Sequence, residues 1–265
     1  MFNRETLASQ QPHLKTLVLA FLALALVTSW LLLTPSGLDG KTHAAGFAVC
    51  HQLESHSYSI GGKVLPLCAR CTGTFLGLFV SLVTLFPRDR RSDFPSRGKI
   101  ILLGIFFLSF LADGVHSTLT FFSGFTPLYP PSNLLRLVTG FLMGIALANL
   151  VLPLWQQTLW VNPTPAPILT SWKQFILLLL LCAATGALVL ADLPILYVPV
   201  AVLSTTTIFI ILTMLYSLIA CILFKKENTM HLYKDGFRIF IIGFIAAILQ
   251  IGLMDLLRYQ LSGTW

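Results

Sequence analysis

Three cysteines, a histidine and an arginine lie close together in the stretch CHQLESHSYSIGGKVLPLCARCTG, residues 50–73. Cys68 and Cys71 stand at C-x-x-C spacing, which lets two thiolates reach one ion. Cys50 and His51 lie eighteen residues upstream of Cys68 and offer a third and fourth ligand. Adjacent residues rarely bind one ion together, so Cys50 is the expected third ligand. His51 or the distant His116 would then be the fourth. Thiolates with an imidazole select zinc, with copper(I) or iron as alternatives. The same residues support a second chemistry. A thiolate at a helix N-terminus is favoured by the helix dipole, and Arg70 adds positive charge. The pair Cys68 and Cys71 could therefore exchange thiol and disulfide, although no second cysteine pair is at hand. The plainest alternative is a static Cys50–Cys68 or Cys50–Cys71 disulfide, or a closed metal site, that clips the loop.

Four more polar residues fall near the ends of apolar runs. Asp113 and His116 are three apart, as are Asn133 and Arg136, so each pair shares a helix face. A ligating histidine usually donates its other N–H to a carboxylate, which suits Asp113. Arg136 could pair with Asp113 or meet an anionic headgroup or substrate. Beside a zinc ion, Asp113 and His116 could also activate water. The bland reading is a polar tie between two helices. Nothing in the spacing decides whether the site is catalytic.

These residues need elements that hold them, and the composition names the medium. The chain has 265 residues, of which 56% are hydrophobic and only 10% charged, and a mean hydropathy of +0.83. Soluble domains carry roughly 25% charged residues. Long apolar runs without strict alternation read as membrane-crossing helices, not as barrel strands. The expected runs are 14–33, 68–86, 100–117, 132–153, 172–190, 195–224 and 239–257. The fold class is thus an all-α polytopic transmembrane bundle of about seven spanning helices. The first run is too long for a signal-peptide core and is expected to stay uncleaved. Residues 1–153 would form a membrane core with a polar loop at 34–67, and 154–265 an added helical scaffold. The fourth helix is expected to end at Pro153, and 154–171 to be a Pro- and Trp-rich connector.

The net charge of +7 does not imply nucleic acid, because the cations sit in short loops without interleaved aromatics. The lipid bilayer is the expected partner. With the N-terminus in the cytoplasm, the inner side carries Arg4, Lys15, Arg88, Arg90, Arg91, Arg97, Lys99, Lys173, Lys225, Lys226, Lys234 and Arg238, which are 12 of the 17 cations. The outer side carries Lys41, Lys63, Arg70, Arg136 and Arg258, the remaining 5. The positive-inside rule therefore favours N-in and C-out, in the inner membrane of the cell, with the Cys/His site on the extracytoplasmic side. That topology sets the Cys68 turn, Asp113, His116, Asn133 and Arg136 at one membrane depth.

The stretch CHQLESHSYSIGGKVLPLCARCTGTFLG, with Asp113-Gly114 and the later Asn133, Arg136 and Gly140, resembles the DUF2085 family of prokaryotic membrane proteins over roughly residues 45–150. The resemblance implies a membrane location and a motif but no activity. One departure concerns the arginine that this family carries shortly after the Cys-His pair. Here LESHS fills that space, and His56 is the residue that could take the role. Gly61 and Gly62 suit a hairpin turn. The pairs Gly73/Gly77 and Gly140/Gly144 let helices approach closely. Cys182 and Cys221 read as core packing, His43, His56 and His231 as solvent or interface residues, and Asp192 and Asp255 as water-facing. The topology is checked with a membrane-impermeant thiol reagent on intact cells, after metal is stripped and disulfides are reduced. Labelling of residues 50–71 before lysis is expected; labelling only after lysis would refute the outside placement.

Overall fold

A computed structural model describes residues 4–86, 89–120, 122, 126 and 128–265, with side chains from residue 14 onward. Arg88, one of the cations expected on the inner side, lies outside the described residues, as does the side chain of Arg4. Eight α-helices account for most of the chain: α1 Arg4–Leu33, α2 Gly37–Phe47, α3 Ala69–Leu85, α4 Arg97–Leu119, α5 Asn133–Leu159, α6 Trp172–Leu190, α7 Tyr197–Leu223 and α8 Phe237–Ser262. Two short strand pairs join them. The antiparallel hairpin β1 Ser59–Ile60 and β2 Lys63–Val64 lies before α3, and β3 Arg91–Asp93 pairs in parallel with β4 Thr164–Pro167.

Among the described residues, six helices are long and apolar enough to cross a membrane. The seventh expected span, α3, has only 17 residues. At 1.5 Å per residue it covers about 26 Å. Its surroundings compensate for that length. Ala69, Thr72, Gly73, Leu76, Gly77, Leu78, Ser81, Leu82 and Leu85 are all buried, so α3 meets protein more than lipid.

The close partner of α3 is α5, and glycine sets how close. A Cβ built at Gly73 would run into the Leu137 carbonyl, and one at Gly140 into the Arg70 carbonyl. At Gly77 it would sit 2.7 Å from the Phe141 carbonyl oxygen, and at Gly144 it would meet Leu78 N and Thr74 O. Each of these is nearer than the 3.0 Å that real Cβ atoms respect. Two helices thus touch backbone to backbone along a four-glycine seam, the geometry small residues permit in membranes. One apolar core continues from this seam through Phe175, Cys182, Val200, Met214, Cys221 and Ile239, so residues of both chain halves share it.

Three details differ from the sequence expectation. The helix α5 does not stop at Pro153 but runs six residues further, to Leu159. A mid-helix proline removes one ladder bond, and here Val151, Leu152, Trp155, Leu159 and Trp160 are buried around it and hold the helix in line. The polar loop contains α2, whose Gly- and Ala-rich sequence gives little periodic signal although Thr42, Ala44, Ala45, Gly46 and Phe47 are buried. Asp255 does not face water: it is 2% exposed, and its Oδ2 accepts from Trp30 Nε1 at 2.9 Å, tying α8 to α1. Asp192 accepts from the Gly61 amide at 2.8 Å and so pins the β1–β2 turn.

The seam makes a stability prediction. Gly140→Leu should lower the thermal midpoint of the purified protein in detergent, by overpacking worth about 1–3 kcal/mol or more. Gly104→Leu on α4, where an added Cβ meets nothing within 4 Å, should leave the midpoint near wild type. Equal midpoints for the two variants would show that the seam does not hold the helices.

Candidate metal centre

The cysteines converge because three separate local structures end at one point. Cys50 follows the last turn of α2, where its amide donates to the Gly46 carbonyl at 2.8 Å. Gln52 then takes a left-handed conformation, φ 54°. Its side-chain amide donates to the His43 carbonyl at 2.9 Å and the Pro66 carbonyl at 2.8 Å, drawing the two arms of the loop together. Between the arms, β1 and β2 close through Gly61 and Gly62, both at positive φ, as a two-residue hairpin turn demands. The returning arm delivers Cys68 as the N-cap of α3 and Cys71 into its first turn. From the other end of the chain, Arg258 on α8 donates to the Phe47 and Cys50 carbonyls and lies 3.9 Å from the centre of the Phe47 ring.

The result is a group of three sulfurs, all within 4.8 Å of one another. Tetrahedral zinc with Zn–S bonds of about 2.3 Å separates its sulfurs by about 3.8 Å, so the group needs only a small contraction to hold an ion. Cys50 and Cys68 are buried and Cys71 is half-buried. The Cys68 amide donates to Cys50 Sγ at 3.2 Å. Hydrogen bonding from the Cys68 and Cys71 side chains, against the cost of burial, brings the Cys50 thiol down to about 3. The same contact, made to a thiolate, pushes Cys68 up. Cys50 is thus the sulfur most readily deprotonated, and thiolates are the donors a soft cation would use.

Neither candidate fourth ligand belongs to this group among the described residues. His51 is exposed beside Cys50. Its Nδ1 accepts from the Leu53 amide at 3.2 Å, and its Nε2 lies 3.4 Å from His56 Nδ1. His116 is buried on α4 and stacked on Tyr129 with ring centres 3.8 Å apart.

The polar helix ends do come together: Asn133 and Arg136 bond as their spacing allowed, whereas Asp113 and His116 find other partners. Asp113 is bound by Arg70: Nη2 reaches Oδ2 at 2.6 Å, Nε reaches the same oxygen at 3.1 Å, and Nη2 also donates to the Asp113 carbonyl. Tyr129 adds a longer contact to Oδ1 at 3.4 Å. Arg136, only 4% exposed, donates to Asn133 Oδ1 at 2.7 Å and Ser117 Oγ at 2.9 Å, and lies 3.2 Å from His56 Nε2. Asn133 in turn donates to the Ser55 carbonyl at 3.1 Å. A continuous polar layer therefore links α3, α4, α5 and the Cys50–Cys68 loop at one end of the bundle. Burial and the nearby Arg136 charge lower the His56 pKa. Sequence reasoning assigned no site role to Gln52, Ser117, Tyr129 or Arg258. They are ordinary polar residues in no recognisable spacing, and only the fold brings them here.

The comparisons with known proteins cover this same region. The family described as "Predicted membrane protein (DUF2085)" matches residues 50–150, from Cys50 to the middle of α5. An uncharacterised protein of Methanocaldococcus jannaschii is 29% identical over 108 residues, which is 40% of this chain and 64% of that protein. An uncharacterised protein of Methanothermobacter thermautotrophicus is 31% identical over 105 residues, 38% of this chain and 83% of that protein. No solved structure matches the chain. The cysteine group, the polar layer and the α3–α5 seam all fall within the matched segment, and the chain belongs to the DUF2085 family of membrane proteins.

Proposed function

We propose that this protein binds one soft transition-metal ion, zinc, through Cys50, Cys68 and Cys71 at the extracytoplasmic face of the inner membrane. The observation that carries the reading is the group of three sulfurs within 4.8 Å, two of them buried, held by a loop, an N-cap and a first helical turn. The fourth position falls to His51, which adjoins Cys50 in sequence, or to His116 or a molecule from solvent.

Charge supports the assignment. A divalent ion with three thiolates leaves a net charge of −1. Arg70 is neutralised by Asp113, whereas the direct partners of Arg136 are the neutral side chains of Asn133, Ser117 and His56. A buried cation without a carboxylate ion pair among the described residues favours a net negative charge on the sulfurs, which a metal with three thiolates would carry. Arg70, Asp113, Asn133 and Arg136 thus act as its surrounding layer, and Arg136 feels the Cys68 sulfur electrostatically. An ion placed here would lock the loop onto α3, since metal binding and local folding are one equilibrium in such sites.

A second reading, thiol–disulfide exchange, draws on the lowered Cys50 thiol beside two others. In it the Cys50 thiolate, as well as the C-x-x-C pair, would be the reactive group.

Protein purified without chelator should contain about one zinc per chain. The Cys68→Ser/Cys71→Ser variant should lose it, with helix content by circular dichroism unchanged. Metal content equal to wild type in that variant would sink the assignment. Thiol trapping across a redox titration separates the second reading. Metal-loaded protein should stay in one thiol state throughout, and interconversion within the physiological range would favour exchange.

A further inference from the structure

At the end of the bundle away from the cysteines, the cations divide by what they touch. Arg91 pairs with Asp89 at 2.6 Å. Arg90 donates to the His231 carbonyl at 2.6 Å and lies over the Trp160 ring. Lys99, 2% exposed, donates to the Leu169 and Thr170 carbonyls at 2.9 and 3.0 Å. These three are used up inside the fold. Lys15 on α1, Lys226 in the α7–α8 loop and Arg238 in the first turn of α8 are not; all are exposed, and none forms an ion pair among the described residues.

Those three cations come from separate elements, yet they line one groove of about 650 Å³. Its floor is apolar, made by Leu19, Phe224, Ile239 and Ile242. The acid on its rim, Asp235, is already committed. Its Oδ2 accepts from the His231 and Leu232 amides at 2.9 and 2.8 Å, and these bonds hold its carboxyl below the usual range. It caps its own turn and stays ionised, so the three cations less this one carboxylate leave the rim with a net charge of +2. A groove with a net positive rim above an apolar floor, its three cations in no ion pair among the described residues, lies where spanning helices end and is complementary to one kind of molecule. That molecule carries a phosphate at one end and a hydrocarbon chain at the other.

We infer that Lys15, Lys226 and Arg238 form a binding site for the headgroup of an anionic phospholipid, whose acyl chain lies against Leu19 and Ile242. The site is independent of the cysteine centre and needs no metal. Its occupant would link α1 to the α7–α8 loop, which otherwise meet across open space in the groove.

Native mass spectrometry of the full-length protein in detergent, titrated with dioleoyl-phosphatidylglycerol or dioleoyl-phosphatidylcholine, tests this. Wild type should retain phosphatidylglycerol at least about tenfold better than phosphatidylcholine. Lys15→Gln/Lys226→Gln/Arg238→Gln should remove that preference, and the charge-keeping Lys15→Arg/Lys226→Arg/Arg238→Lys should preserve it. Equal retention of the two lipids by wild type, or an unchanged preference in the glutamine variant, overturns the site. So does displacement of phosphatidylglycerol by excess inorganic phosphate, which would assign the groove to a free anion. If the triple glutamine variant loses helix content, single Lys226→Gln and Arg238→Gln variants replace it. Each should weaken the preference, and no change in either overturns the site.

Discussion

The close approach of α3 and α5 is the constraint on which the rest depends. With Gly73 and Gly77 on one helix and Gly140 and Gly144 on the other, backbone meets backbone and no side chain separates the axes. This fixes more than stability. The first turn of α3 carries Arg70 and Cys71, and the first turn of α5 carries Asn133 and Arg136. Bringing those turns level decides which polar groups meet at the end of the bundle. A wider spacing would leave Arg136, now 4% exposed, in water or lipid instead of against Ser117 and His56.

The sulfur group rests on that frame from the other side. Its loop buries Ile60, Leu65 and Leu67 in the core and is fastened by hydrogen bonds: Gln52 across its base, the Asp192 carboxylate at its tip, Arg258 from α8, and Asn133 at its flank. Those contacts come from elements far apart in the chain. The loop is therefore a reporter of the whole bundle, and a change in how the helices sit would be felt first as a change in sulfur spacing. The three sulfurs are thereby held within 4.8 Å of one another by contacts of the fold itself.

The two ends of the molecule handle charge differently. At the cysteine end three arginines are directed onto partners: half-buried Arg70 onto Asp113, buried Arg136 onto neutral acceptors, half-buried Arg258 onto backbone carbonyls. At the other end several cations stay exposed around an apolar groove. Buried charge in a membrane protein is costly and points inward to a site. Exposed charge at the helix ends points outward to the headgroup layer.

Much of this was legible in the sequence. Composition and long apolar runs determine a helical membrane protein, because an unpaired backbone cannot be carried through hydrocarbon. The C-x-x-C spacing and the upstream Cys50 mark the sulfurs, and the glycine pairs mark the seam. Three-residue spacing placed Asp113 with His116 and Asn133 with Arg136 on common faces; the second pair does bond, yet spacing could not tell the partners of the first. The carboxylate went to Arg70, forty-three positions away, and His116 went to an aromatic stack. The continuation of α5 through Pro153, the short α2 and the burial of Asp255 were hidden for a related reason. Local propensity disfavours or ignores each, and packing by distant residues decides it. Spacing along a chain records which residues can share a helix face; which of them touch is settled only when helices from different parts of the sequence pack side by side.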